Sequence, residues 1–286
     1  MFYIKKFDPW QSRLCTCPSK WTFNPYTGCS HRCIYCYAST YIKKFFDPRP
    51  KKINLKFFEE EARKIRGMLI SISNSTDPYQ SLEKEMKITR KILEILIRNK
   101  VRIEIVTKSD LILRDLNVIK GREVVVLFTI TTLNEKIAKK IEPFAPLPKR
   151  RIKAIKVLVN EGIPVVVRYD PIIPFLNDKE RKLVKKLGRL GVKQIISSTL
   201  KIKPKIWQRI SIKLPKIAEK LRPLYFEKGE KIGSYYYLPR DFREKILRNI
   251  KTWVEESGMY FSVCREGLNY MNSAKTCDGS WLIFKK

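Results

Sequence analysis

Apolar positions along the chain follow two rhythms. Short β-branched runs of strand type are separated by stretches in which apolar residues return at helical spacing. Trp21-Thr22-Phe23 reads as a first short strand, ended by Asn24-Pro25. Met68–Ser73, Val101–Thr107, Glu123–Thr131, Ile163–Tyr169 and Val192–Ser198 read as further strands. Between them, Ser81–Asn99 carries Leu82, Met86, Leu93 and Leu96 near helical spacing, with Glu83 and Glu85 in its first turn. Asp110–Ile119 reads as a short helix, and Asn134 is a natural cap for a helix reaching Ile141. Pro148–Glu161 and Asp178–Leu190 end before Gly162 and Gly191, where a left-handed cap is expected. Tyr37–Phe46 also reads as a helix, stopped by Asp47-Pro48. The alternation predicts an α/β fold of about six strand–helix units around a parallel sheet. Six is too few for a closed eight-stranded barrel. No Gly-rich dinucleotide fingerprint follows the first strand, which favours an open, partial barrel over a doubly wound sheet, although periodicity alone does not decide between them.

Beyond Lys201 the alternation stops. Pro204–Leu221 reads as helical, with breaks expected at Pro215 and Pro223. Asp241–Ser257 is a helix and Tyr260–Val263 a short strand. This divides the chain into an irregular arm (residues 1–20), an α/β domain (21–200) and a mainly helical C-terminal extension (201–286). No apolar run approaches the roughly 18 residues of a membrane-spanning helix. Met1–Asp8 mixes Lys5 and Lys6 with aromatic residues and does not read as a secretory signal. A soluble, cytoplasmic protein is the expectation.

Charge changes the picture. Sixty Lys and Arg face 28 Asp and Glu, a formal net charge of +32. A Lys-rich thermophile surface would normally balance Lys with Glu; here Glu does not keep pace. A polyanionic partner, DNA or RNA, is therefore expected. The basic loop Arg49–Lys52 and the aromatic run Tyr235–Tyr237 are candidates for holding phosphates and stacking bases, with a solvated loop and core packing as the alternatives.

Seven cysteines, an odd number, argue against a disulfide framework. Cys29, Cys33 and Cys36 are spaced Cys-x3-Cys-x2-Cys. Three thiolates on a tight loop can hold three irons of a cubane and leave a fourth iron open to a substrate's amine and carboxylate. Zinc with a fourth ligand elsewhere is the alternative, but the second Cys-x2-Cys pair usual for such sites is absent. The other four, Cys15, Cys17, Cys264 and Cys277, suffice for a second iron–sulfur cluster or a zinc tying the two ends of the chain together; some could equally be buried as small apolar residues. Cys264 could alternatively donate a hydrogen atom. His31, the only histidine, lies between ligands and reads as loop packing.

The run Asn24-Pro25-Tyr26-Thr27-Gly28-Cys29-Ser30-His31-Arg32-Cys33-Ile34-Tyr35-Cys36-Tyr37-Ala38 resembles the cluster loop of the radical S-adenosylmethionine superfamily. Within it, the sequence is similar to the group related to spore photoproduct lyase, the DNA repair photolyase-like proteins. Ser73–Gln80, Val106–Asp110, Arg114–Leu116, Ile130–Asn134, Glu142–Arg151 and Asp170–Pro174 resemble further blocks of that group, so the likeness covers about Trp21 to Ser198. It implies a partial (β/α)6 barrel, a 4Fe–4S cluster on Cys29, Cys33 and Cys36, S-adenosylmethionine as cosubstrate, and an electron donor such as a ferredoxin or flavodoxin. It implies a lyase or transferase type of enzyme. Residues of the cosubstrate site would be Tyr35 and Tyr37 at the adenine, Lys108 at the methionine carboxylate and Thr129 at the ribose, with Ser75, Asp77 and Arg168 near the same mouth. Two departures stand out. Asn74 occupies the place of the group's hydrogen-donating cysteine, and Ser73–Ser75 replaces a Gly-Gly-Glu motif that binds the methionine amine. The competing reading is a non-catalytic, zinc-containing protein that binds nucleic acid.

Overall fold

The computed structural model describes residues 2–7 and 12–284. Within the arm, residues 8–11 lie outside the described residues. The chain enters through β1 (Lys5–Lys6) and β2 (Trp21–Phe23), then a small antiparallel pair, β3 (Tyr26–Thr27) and β4 (Arg49–Pro50). Next come α1 (Leu55–Lys64), β5 (Leu69–Ile72), α2 (Glu83–Met86), α3 (Ile88–Arg98), β6 (Arg102–Thr107), α4 (Leu116–Ile119) and β7 (Val124–Thr129). The middle continues with α5 (Glu135–Ile141), α6 (Pro148–Asn160), β8 (Val165–Ile172), α7 (Arg181–Arg189) and β9 (Gln194–Thr199). The last part holds α8 (Pro204–Lys213), α9 (Pro215–Phe226), the hairpin β10 (Glu230–Ile232) and β11 (Tyr235–Tyr237), α10 (Arg240–Glu255) and β12 (Tyr260–Val263).

One sheet of order β1-β2-β5-β6-β7-β8-β9-β12 organises the molecule. β1 pairs antiparallel with β2; every other neighbouring pair is parallel. The six parallel strands read from the sequence, β2, β5, β6, β7, β8 and β9, are adjacent and in chain order, the order of a strand–helix barrel rather than the reversing order of a doubly wound sheet. β7 is buried along its whole length, which is why Val124–Thr129 shows no polar alternation. β12 joins the far side of β9, and α10 packs on α7 and β12. The parallel sheet therefore runs on into the C-terminal region.

Some local readings change. Tyr37–Phe46 is not a regular helix: only Ala38–Thr40 forms a 3-10 turn, and Lys44 takes a positive φ of 49°. Its carbonyl groups serve the cysteine loop instead, the Cys29 N–H donating to the Phe45 carbonyl at 2.9 Å. Ser81–Asn99 is split at Lys87, whose φ is 50°. The reason is Glu83: its buried carboxylate accepts the Thr89 N–H at 2.9 Å and the Arg114 guanidinium at 2.6 Å, so the chain turns around it. The helix α1 has no counterpart in the hydrophobic reading above; Asn54 caps it through the Phe57 N–H, and it buries only Phe58 and Ala62.

Candidate functional site

Gly28 opens the cysteine loop at φ 84°, and a Cβ there would meet the Phe45 carbonyl oxygen at 2.4 Å, so only glycine lets the loop pass so close. The loop is then fastened at many points. Gln80, fully buried, accepts the Ser30 N–H at 2.8 Å and donates to the Gly28 carbonyl at 3.2 Å. Thr76 donates to the same carbonyl. Ile34 packs among Ile206, Ile210 and Leu200, and its N–H donates to the Ile141 carbonyl at 2.9 Å. Arg209 of α8 reaches over from the C-terminal region; it donates to the carbonyls of Ile34 (2.8 Å) and Cys36 (3.2 Å) and to the Ser39 hydroxyl (2.8 Å).

Cys29, Cys33 and Cys36 line one cavity of about 430 Å³ at the C-terminal ends of the parallel strands. Burial pushes all three thiols up, Cys33 to about 12, with the nearby Lys108 ammonium working against that rise at Cys33. Such sulfurs become thiolates when a metal's charge replaces their protons. Three soft donors on one constrained loop, facing an open cavity, fit an iron–sulfur cluster that keeps one corner for a further ligand.

The expected cosubstrate residues all line this cavity: Tyr35, Tyr37, Ser75, Asp77, Lys108, Thr129 and Arg168. The structure shows how far each is committed. Tyr35 donates its hydroxyl to Glu142, and the Lys108 ammonium lies 5.7 Å from the centre of its ring. Glu142 is itself locked to Arg151 at 2.6 Å, both fully buried. Tyr37 donates to the Asn74 carbonyl. Asn74 is drawn back into a network, its amide donating to the Thr22 hydroxyl at 2.7 Å and its side-chain oxygen accepting from Ser71 at 3.2 Å. Asp77 accepts from the Thr107 hydroxyl (2.8 Å), the Tyr79 N–H (2.9 Å) and the Lys108 N–H (2.8 Å), so its carboxylate holds the ends of β5 and β6 in register. His31 is buried with Nδ1 3.5 Å from the same carboxylate. The Ser75 N–H donates to Asn24, and the Thr129 carbonyl accepts from Arg151. Arg168 pairs with Asp170 and reaches 3.9 Å from the Cys264 sulfur.

Cys15, Cys17 and Cys264 line the same cavity, and the Cys277 sulfur is 3.5 Å from that of Cys17. The same cavity is lined by a buried charge cluster: the Lys20 ammonium contacts Glu104 at 2.6 Å and Asp278 at 2.7 Å. Burial first, and then the second carboxylate, raise Glu104 to about 7 against the opposing pull of Lys20. Among the described residues no group of three Cys, His, Asp or Glu side chains stands ready around a single-ion position.

Arg209, Gln80, Glu142, Lys20 and Asp278 were not singled out from the sequence. Glu104 carries a signal, a carboxylate between Ile103 and Ile105 in an otherwise apolar strand; Arg209 and Asp278 carry none. The aromatic run behaves differently from a stacking platform: Tyr235 and Tyr237 are buried, and Tyr236 is only partly exposed. Tyr235 lines the cavity, whereas Tyr236 packs edge-on to Phe226. Arg49–Lys52 does lie at the surface beside the cysteine loop, with only Lys51 half-buried.

A family model described as the Radical SAM superfamily matches residues 23–187. An uncharacterized protein of Methanocaldococcus jannaschii is 37% identical over 168 residues, 57% of this chain and 64% of the relative, so the match spans less than two thirds of that protein. An uncharacterized protein of Acidianus two-tailed virus is 28% identical over 76% of this chain and 82% of its own length. Among solved structures, a variant of spore photoproduct lyase superposes with a TM-score of 0.68 at 16% identity, covering 89% of this chain and 77% of the lyase. Streptococcus suis SuiB bound to precursor peptide SuiA superposes with a TM-score of 0.57 at 13% identity over 85% of this chain and 48% of SuiB. These likenesses bear on the fold.

Proposed function

Because the chain belongs to the radical SAM superfamily, we propose that it is an enzyme that cleaves S-adenosylmethionine at a 4Fe–4S cluster and acts on a nucleic acid. The observation that carries the reading is the arrangement of Cys29, Cys33 and Cys36 on one fastened loop facing a cavity that Lys108 also lines. Cys29, Cys33 and Cys36 would hold the cluster, whose chemistry when bound would be one-electron reductive cleavage of the sulfonium to methionine and a 5′-deoxyadenosyl radical. The protein's own groups do the rest. Lys108, held by Asp77 at its backbone N–H, offers a cation for the methionine carboxylate. Tyr35 and Tyr37 present aromatic faces for the adenine, and Thr129 a hydroxyl for the ribose. Ser75 and backbone carbonyls are left for the methionine amine, since Thr76 is spent on the Gly28 carbonyl. Arg168, paired with Asp170, adds a second cation to the cavity wall. A low-potential donor such as a ferredoxin or flavodoxin would reduce the cluster.

The nucleic-acid part rests on charge. A net charge of +32 on 286 residues favours a polyanion. Basic groups gather at the cavity: Lys203 sits 4.4 Å and Arg265 5.2 Å from the centre of the Tyr235 ring. One structural relative holds a dinucleoside spore photoproduct and another a precursor peptide; the charge of this chain favours the first kind of partner. Asn74 cannot return a hydrogen atom as a thiol would, so the reaction is not expected to follow the lyase's thiol route.

The test is anaerobic reconstitution with iron and sulfide, followed by reductant and S-adenosylmethionine. The native protein should form 5′-deoxyadenosine, and Cys33→Ala should form none. Comparing nucleosides from cells with and without the gene should reveal the modified or repaired base. Absence of 5′-deoxyadenosine from an iron-loaded protein would overturn the enzymatic reading. Failure to bind DNA or RNA even at low salt would remove the nucleic acid and leave the radical chemistry for another substrate.

A further inference from the structure

Four cysteines outside the loop come together although they lie far apart in the chain. Cys17 and Cys277 have their sulfurs 3.5 Å apart. Cys15 shares a thiol hydrogen bond with Cys17. Cys264 lines the same cavity as Cys15 and Cys17. Nothing local brings them there.

What does so is built into the core. Lys20, three residues after Cys17, is buried between Glu104 of β6 and Asp278, the neighbour of Cys277. The Cys277 carbonyl accepts from Ser262 of β12 at 2.8 Å and from Gln194 of β9 at 3.2 Å. Cys264 leaves the end of β12 with its N–H on the Ser197 carbonyl at 3.0 Å. Arm and tail are thus pinned to the same sheet, the arm at β6 and the tail at β9 and β12, with the Cys17 and Cys277 sulfurs in contact. Burying a cation and two carboxylates is a costly way to join two chain ends, and an apolar contact would do it with less desolvation. A functional reason for the exact placement of the sulfurs resolves this.

We infer that Cys15, Cys17, Cys264 and Cys277 form a second, thiolate-ligated metal centre, separate from the loop of Cys29, Cys33 and Cys36. Four soft sulfurs suit iron–sulfur or zinc chemistry alike. On ligation each sulfur gives up its thiol proton, and metal–sulfur bonds replace the S–H···S contacts that join Cys15, Cys17 and Cys277. Arg168, 3.9 Å from the Cys264 sulfur, supplies an N–H toward one ligand. Three of the four sulfurs open onto the cavity that the cysteine loop lines, so the centre would stand at the wall of the reaction chamber.

The inference is independent of the cysteine loop, and its test removes that loop's sulfurs. The triple variant Cys29→Ala, Cys33→Ala, Cys36→Ala is purified anaerobically, reconstituted, and assayed for iron, acid-labile sulfide and zinc. It should retain one centre per chain, with iron plus sulfide identifying a cluster and zinc alone a structural ion. Adding Cys17→Ser and Cys277→Ser should abolish that metal. Thiol labelling gives a second reading that does not depend on the stability of the five-fold variant: in the triple variant the four thiols should resist alkylation until a chelator is added. A metal-free triple variant, metal that survives the added serines, or a Cys17–Cys277 disulfide in place of metal would overturn the inference. None of these outcomes bears on whether the native protein makes 5′-deoxyadenosine.

Discussion

Cys29, Cys33 and Cys36 reach the cavity from a single loop, whereas Tyr235 and Cys264 reach it from β11 and the end of β12, and Arg209 of α8 holds the loop's carbonyls. Each region is anchored by one buried arginine–glutamate pair. In the first, Arg151 and Glu142 meet at 2.6 Å and support Tyr35. In the second, Arg243 meets Glu266 at 3.2 Å, and Glu266 also takes Lys201 at 2.8 Å and the Thr199 N–H at 2.7 Å. The first pair stands behind a chemical group; the second stands behind a junction of strands and helices. The difference teaches that the loop carries the reactive atoms and the C-terminal region carries much of what holds them in place.

The largest effect expected from this contrast is on Glu266→Ala. It leaves Lys201 buried without its carboxylate and Arg243 with only the partly exposed Glu230 at 3.2 Å, and breaking a buried pair in this way costs about 3–5 kcal/mol. Denaturant unfolding should show that loss, and a change within experimental scatter would mean the junction is not what stabilises the C-terminal region. Glu142→Ala should cost a similar or slightly smaller amount, because Glu142 pairs with one cation and Glu266 with two. Here the informative comparison is functional: at temperatures where both variants remain folded, Glu142→Ala should reduce 5′-deoxyadenosine formation more than Glu266→Ala. The opposite order would break the division of labour between the regions.

A smaller effect is expected at the bridge between them. Arg209→Ala removes three hydrogen bonds to the cysteine loop. A loss of roughly tenfold or more in cluster retention under mild chelation corresponds to the 1.5–3 kcal/mol usual for charge-assisted bonds. Arg209→Lys should restore only part of it, since an ammonium cannot span the same three acceptors in one plane. Unchanged retention in Arg209→Ala would show that the loop holds itself.

The smallest expected effect is a pH dependence at Glu104. Its folded-state pKa is raised to about 7 by burial first, above the ordinary 4.5. A carboxyl raised in this way contributes stability that is full below its unfolded pKa and fades as pH rises through the folded one. Between about pH 5 and pH 8 the native protein should therefore lose on the order of 2 kcal/mol relative to Glu104→Gln, which has no proton to release. Parallel melting curves for the two proteins across that range would contradict the assignment.

Two kinds of information met in this chain. The strands β2, β5, β6, β7, β8 and β9 and most of their helices were legible because an apolar run or a helical stripe is a local pattern. The cysteine loop was legible because its three sulfurs come from one short stretch. Helix α1 escaped notice because it buries only Phe58 and Ala62, and the break at Lys87 escaped because a buried Glu83 gives no periodic signal. Cys15, Cys17, Cys264 and Cys277 could be grouped as a candidate set from their number, but nothing local in the sequence showed where they lie. Their meeting depends on Lys20 finding Glu104 and Asp278, partners 84 and 258 residues away. Ion pairs and hydrogen bonds between distant segments have no period, so only the folded chain decides which are made. The amino-acid order determined which residues carry chemistry and which local elements bear them. The tertiary structure decided that the two sulfur sets share one chamber, because packing the chain's ends against the sheet is a long-range event that no short window of residues records.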